Sequence, residues 1–226
     1  MIHSRRLILF AKRPRLGCVK TRLVPPLTPE QALSLYRAFL IDQLALLRLL
    51  ANDYTVEVSV DDAWEPDAQF VSELDGLTIT EQGGGDLGRR LTRAFRRSRE
   101  SGSGSTVVIG VDSPTLPAQW LRQAFEVLAA GAAAVISPAE DGGYVLLGLN
   151  DPIPALFRDV PWGSSRVFEI TRRRAAETGL DLAQLEPWYD VDDIVGLDRL
   201  RTELADPKAA QRANATARYL QSLQLP

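Results

Sequence analysis

Cysteine and histidine are almost absent from this chain, with Cys18 and His3 the sole example of each. One thiol supports neither a disulfide framework nor a Cys-based zinc knot. One histidine at the extreme N-terminus leaves no base for a Ser-His-Asp triad and no imidazole set for a metal. Lysine is scarce too: there are three, and Lys12 and Lys20 fall in one short segment. No apolar run approaches the roughly 18–20 residues of a membrane span. A net charge of −3 argues against a dedicated nucleic-acid binder. What remains for chemistry is carboxylate, ammonium, guanidinium and backbone amide, with room for a hard metal. A hydrophobic share of 45% and a charged share of 24% over 226 residues describe an ordinary soluble chain, expected to form one domain over residues 1–226.

Charge is unevenly spread. Residues 1–22 hold seven basic side chains, Arg5, Arg6, Lys12, Arg13, Arg15, Lys20 and Arg22, and the first acid is Glu30. The apolar run Leu7–Ala11 is too short for a secretory signal core, and Pro14 and Gly17 disfavour an amphipathic targeting helix. One unpaired cysteine and no export signal point to the cytoplasm. The basic cluster follows a strand-like run and contains Gly and Pro, so it reads either as a solvated face or as an anion-binding loop.

Short apolar runs at Leu7–Ala11, Val56–Val60, Thr106–Val111, Ala133–Ile136 and Tyr144–Leu149 predict buried strands. Thr28-Pro29-Glu30-Gln31 supplies an N-cap, a first-turn proline and a capping-box Gln, and Leu33, Tyr36, Leu40, Leu44 and Leu47 then share one helix face. Further helices are predicted over Asp86–Arg99, Pro117 to about Ala130 with Gly131 as its stop, and Ser164–Glu177 before Gly179. Asp193 caps another, and Pro207 opens a last helix to Leu223. Such alternation predicts an α/β fold with a mostly parallel sheet, whose ligands bind at the carboxyl ends of the strands.

Four loops at those ends carry unusual residues. Ala11–Leu23 (AKRPRLGCVKTRL) offers Lys12, Lys20 and Arg22 for phosphoryl oxygens, although no Walker glycine precedes Lys20-Thr21. Cys18 has no histidine to activate it and reads as a packing residue. Gln82–Leu91 (QGGGDLGRRL) satisfies GxGxxG through Gly83, Gly85 and Gly88, and Asp112 falls near the place of a ribose-binding acid. A Rossmann-type NAD(P) site therefore competes, weakened by a polar preceding strand and by Asp86, which would repel a pyrophosphate. Ile109–Pro117 (IGVDSPTLP) ends a continuously apolar strand in Asp112, placed to ligate Mg²⁺ or Mn²⁺ or to cap the helix at Pro117. Glu140–Leu149 (EDGGYVLLGL) offers Gly142 and Gly143 for close backbone approach and Tyr144 for a sugar or base. In Tyr189–Leu197 (YDVDDIVGL), Asp190 and Asp192 face one side of an extended backbone and either could join Asp112 on a metal.

Together these loops resemble the GT-A superfold of nucleotide-diphospho-sugar transferases and nucleotidyltransferases. They are most similar to the bacterial radical-SAM/selenodomain-associated, GT-A glycosyltransferase-like transferases, over roughly residues 6–205. KTRL is also similar to an element of 2-phospholactate guanylyltransferases, and DVDD to the end of molybdenum-cofactor nucleotidyltransferases. The resemblance implies a three-layer sandwich on a mixed, mainly parallel seven-stranded sheet, with Asp112 on a divalent metal. Two departures leave glycosyl and nucleotidyl transfer both open. Asp112 is followed by Ser113 and Pro114 rather than completing a DxD, and the first loop is poorer in glycine than in nucleotidyltransferases.

The resulting expectation is a Mg²⁺- or Mn²⁺-dependent transferase acting on a nucleotide or nucleotide-sugar donor and a small-molecule acceptor. Lys20 and Asp112 are the expected catalytic residues. Lys12, Arg13, Gly17, Lys20, Arg22, Gly85 and Asp86 are expected on the nucleotide, and Asp112, Asp190 and Asp192 on the metal. Asp141, Gly143, Tyr144 and Trp162, with Ser164 nearby, are expected on the acceptor side. The alternatives are the NAD(P) protein and a catalytically silent nucleotide-binding protein.

Overall fold

The computed structural model describes residues 5–61, 66 and 68–223; His3 lies outside them. Seven strands among the described residues form one sheet: β1 (Arg5–Ala11), β2 (Thr55–Val60), β3 (Thr78–Glu81), β4 (Ser105–Gly110), β5 (Ala134–Pro138), β6 (Tyr144–Leu149) and β7 (Leu182–Gln184). Their order is β3-β2-β1-β4-β6-β5-β7. Only β6 runs against its neighbours β4 and β5; the other pairs are parallel. All five predicted strands are present within a residue or two at their ends. The short, half-exposed β7 and the polar edge strand β3 carry little apolar signal.

Side chains alternate across the sheet. Leu7 and Leu9 enter one core while Ile8 enters the other, and Val107 and Ile109 part from Val108 in the same way. Central strands covered on both faces read as continuous apolar runs because neither face meets water. One face is covered by α1 (Pro29–Leu50), α4 (Ala118–Ala129) and α8 (Asn214–Ser222), the other by α3 (Leu87–Glu100) and α5 (Val167–Glu177). This is a three-layer α/β sandwich. The remaining helices are α2 (Ala68–Leu74), α6 (Ile194–Glu203) and α7 (Pro207–Arg212).

Local chemistry sets the helix starts. Thr28 and Gln31 form the reciprocal capping box of α1, and Asp86 and Asp193 accept from Arg89 N and Gly196 N at the starts of α3 and α6. Pro117 precedes α4 with no side-chain cap, so Asp112 does not serve that helix. Helix α5 begins at Val167 rather than Ser164 because the Ser164 hydroxyl donates to Pro161 O in a separate turn. The C-terminal helical stretch divides into α7 and α8 at Ala213. No helix among the described residues is long and apolar enough to cross a membrane.

Candidate functional site

The carboxyl ends of β1 and β4 and the amino end of the reversed β6 open into a cleft of about 500 Å³. Its floor is apolar, formed by Phe10, Val108, Leu147 and Leu91; Gln82, Asp86 and Arg90 stand on one side and Lys20, Asp112 and Asp192 on the other.

The first loop leaves β1 under tight control. The Tyr36 phenol accepts from Lys12 N at 2.8 Å and donates to Lys12 O at 2.9 Å. Burial and the charge of Asp112 hold that phenol well above its usual pKa, so it remains a donor. Arg13 N donates to Asp61 Oδ1 at 2.8 Å, and Gln82 Nε2 donates to the carbonyls of Ala11 and Ser59 at 3.2 and 2.8 Å. Lys12 is exposed on the cleft wall. Lys20 is not: its side chain is 2% exposed, and its ammonium pairs with Asp112, with Asp192 Oδ1 at 3.1 Å and with Val191 O at 2.8 Å. Burial lowers the Lys20 pKa, but the two carboxylates outweigh burial and leave it raised, so Lys20 is a cation. Arg13 lines a smaller pocket of about 50 Å³ with Arg15 and Cys18, while Gly17 and Arg22 are exposed and line neither cavity.

The glycine loop is a helix entrance. Gly83 and Gly85 have φ of +73° and +98°. Arg93 Nε donates to Gln82 O at 2.8 Å, and Arg90 donates to Gly85 O at 3.0 Å and Gln82 Oε1 at 3.3 Å. A Cβ on Gly88 would meet Phe157 and Trp162 at 3.0 Å, so that glycine lets α3 pack. The loop follows edge strand β3 rather than β1, and β6 is reversed. A dinucleotide fingerprint lies in the first βα turn, at the switch point of the sheet, and this loop follows an edge strand, so the NAD(P) alternative does not match this topology.

Asp141, Asp190 and Asp192 each present a carboxylate oxygen within 4.8 Å of the others. Asp112, expected as a metal ligand, is outside that group and is held by Lys20; Asp141, expected beside the acceptor, is inside it. The DVDD segment is tied to the loop after β4 and, through Arg199, to the β5–β6 connection. Val191 N donates to Asp112 O at 2.9 Å, and the Ser113 hydroxyl donates to Tyr189 O at 2.8 Å. Arg199 pairs with Glu140 and stacks 4.0 Å over the Tyr189 ring. Burial, then the charges of Asp141, Asp192 and Asp112, push the Asp190 carboxyl up to about 7. Three close carboxylates with repulsion of this kind fit a hard divalent cation, which prefers oxygen ligands.

Tyr144 lines the cleft, but its hydroxyl is buried without a hydrogen-bond partner, and burial holds its pKa far above normal. Gly143 N donates to Asp141 Oδ1 at 2.7 Å, so Gly143 shapes the acidic loop. Trp162, expected on the acceptor side, packs edge-on to Tyr144 and against Phe157 and does not line the cleft. Tyr36, Gln82, Arg90 and Arg199 were not among the expected site residues. For Gln82 the only signal was its place at the head of the glycine loop.

A mainly parallel seven-stranded sheet with one reversed strand, helices on both faces and acids at its carboxyl edge defines a GT-A-like fold. The chain belongs to the DUF2064 family, described as uncharacterized proteins conserved in bacteria, whose profile matches residues 46–164. A structure from Desulfovibrio desulfuricans G20, provisionally named a nucleotide-diphospho-sugar transferase, is 28% identical with a TM-score of 0.88, over 98% of this chain and 95% of that one. A cytidylyltransferase from Leptospira borgpetersenii shares the fold at 10% identity and a TM-score of 0.57, over 97% and 95% of the two chains. Glucosyl-3-phosphoglycerate synthase from Mycobacterium tuberculosis, in complex with Mg²⁺ and UDP, does so at 11% identity and 0.52, over 94% and 80%. No curated protein matches the sequence significantly.

Proposed function

We propose that this chain is a transferase that takes a glycosyl or nucleotidyl group from a nucleotide-activated donor and delivers it to a small-molecule acceptor, working as one domain in the cytoplasm. The observation that carries this reading is the convergence of Asp141, Asp190 and Asp192 beside a cleft large enough for a small ligand, at the strand ends of a GT-A-like sheet. Asp190, Asp192 and Asp141 would hold Mg²⁺ or Mn²⁺. When bound, the ion supplies positive charge against the charge that develops on the leaving diphosphate.

The chain's own residues bind and orient. Lys12, fixed through its backbone by Tyr36, lies on the wall of the cleft, where an ammonium favours phosphate oxygens. Gly85 and Asp86 border the nucleoside end, where Gly85 admits a close approach and the Asp86 carboxylate accepts hydroxyl donors. The apolar floor of Phe10, Val108 and Leu147 excludes water below the bound ligand. Tyr144 stands at the acceptor side, where its buried hydroxyl gains a partner once a polar ligand reaches it.

The test is a thermal-shift survey of UTP, GTP, CTP, UDP-sugars, GDP-sugars and NAD(P), each with and without Mn²⁺. A Mn²⁺-dependent rise with one nucleotide family is expected. A Mn²⁺-independent rise with NAD(P) alone would overturn the reading. With the donor known, release of pyrophosphate marks nucleotidyl transfer and release of a nucleoside diphosphate marks glycosyl transfer.

A further inference from the structure

The surroundings of Lys20 do not suit a phosphate clamp. An ammonium has three N–H donors. Nζ of Lys20 meets three protein oxygens: Asp112, Asp192 Oδ1 at 3.1 Å, and the Val191 carbonyl at 2.8 Å. The Phe39 ring, itself fully buried, lies 5.2 Å from the same nitrogen. The exposures run in opposite directions. The Lys20 side chain is 2% exposed, whereas Asp112 and Asp192 are 44% and 40% exposed. The cleft therefore meets the outer faces of two carboxylates, with the cation hidden behind them. Lys20 also has a left-handed backbone, φ 49° and ψ 37°, which a residue with a Cβ adopts only at a cost. That cost is offset where the side chain is engaged on every donor.

We infer that Lys20 is a resident cation: its ammonium fills the position between Asp112 and Asp192 that a divalent ion would otherwise bridge, and so leaves Asp141, Asp190 and the open face of Asp192 for the exchangeable ion. Lys20 is thus a positioning residue. It ties the end of β4 to the DVDD segment from beneath, while the Val191 N to Asp112 O bond at 2.9 Å makes the same link through the backbone. Asp112 on this account is a structural anion and not a metal ligand. The first half of the inference stands on the contacts of Lys20; the second rests on the cation site proposed above.

Mn²⁺ binding to the full chain, read by electron paramagnetic resonance, tests it on wild type, Lys20→Met, Asp112→Asn and Asp190→Asn, each checked for fold by circular dichroism. Removing a buried positive charge beside Asp192 and freeing Asp112 should strengthen Mn²⁺ binding to Lys20→Met by about tenfold or more, or add a second ion. Unchanged or weaker binding by folded Lys20→Met overturns the inference. Asp112→Asn keeps an acceptor for Lys20 and should bind Mn²⁺ within about twofold of wild type, whereas Asp190→Asn should lose about tenfold or more. A loss in Asp112→Asn as large as that in Asp190→Asn also overturns the inference, and this comparison decides the matter if Lys20→Met does not fold. Binding to Lys20→Met but not to wild type would support the resident cation and overturn the exchangeable site. Binding to neither would overturn both.

Discussion

Asp190 is electrostatically strained beside the cleft, because burial and three neighbouring carboxylates all oppose its ionisation. Without a divalent ion, the folded protein keeps a proton on Asp190 up to a pH of about 7, whereas the unfolded chain releases it near the ordinary 3.8. The folded state binds more protons in that window, so the stability from this group is full below the lower value and is lost as pH rises through the upper one. In EDTA, the wild-type melting temperature should therefore fall more between pH 5 and pH 8 than that of Asp190→Asn. Equal slopes in paired melts would show that the carboxyl is not raised. Gly142, in the β5–β6 connection beside Asp141, has no tolerance for a side chain: its φ is +90°, and a Cβ would lie 2.0 Å from the Ser165 carbonyl oxygen. Gly142→Ala should cost about 2–4 kcal/mol in urea unfolding. It should also weaken Mn²⁺ binding, since Asp141 is the next residue. Asp112 and Asp141 were legible one by one because each follows a recognisable strand, and Asp190 and Asp192 because they alternate along DVDD. Their partnership was not. Spacing does not show that Asp141 would meet Asp190 across the sheet edge, or that Lys20 would turn inward.

Helix α8 shows an element whose start is set from elsewhere in the chain. Ala213 at its N-terminus offers no side-chain cap. Asp42 on α1 fills the role, accepting from Ala215 N at 2.8 Å and Thr216 N at 2.9 Å. Burial raises the Asp42 carboxyl and the two amides partly counter it, so a buried charge is held by a helix terminus. Asp42→Ala leaves those donors unpaired and should lower stability by about 1–2 kcal/mol. Hydrogen exchange should quicken in residues 214–222 while Mn²⁺ binding remains that of wild type. Uniform loss of protection across the sheet would show that α8 is not a separately anchored element. The contrast with α1 explains what was readable. Thr28 and Gln31 sit within one turn of the helix they start, so the signal is local. The Asp42 cap joins distant parts of the chain and leaves no pattern in either. The five apolar strands were readable because both faces are buried; β7 and α2 are too short for periodicity to speak.

The distribution of charge over the whole molecule bears on the proposed donor binding. The basic residues near the N-terminus do not form one entrance. Arg5 and Arg6 open β1, at the far end of a strand about 20 Å long, and Arg6 is paired with buried Glu57. Lys20 is buried against two carboxylates. Lys12 and Arg90 therefore face the cleft with Asp86, Asp112 and Asp192 on the same walls and Asp141 and Asp190 close to Asp192, so acids outnumber bases there. A diphosphate entering without a divalent ion meets net repulsion; with Mn²⁺ bound, it meets attraction. Affinity for the nucleotide that gives the thermal shift should rise about tenfold or more on adding Mn²⁺, and the response to salt should reverse. Raising NaCl from about 50 to about 500 mM should leave binding in EDTA unchanged or improve it, because repulsion is screened. The same change should weaken binding in Mn²⁺, because attraction is screened. Isothermal titration under the four conditions reads both effects. Tight binding in EDTA that weakens with salt would show that the basic loop outweighs the acids and that the ion is dispensable for holding the donor.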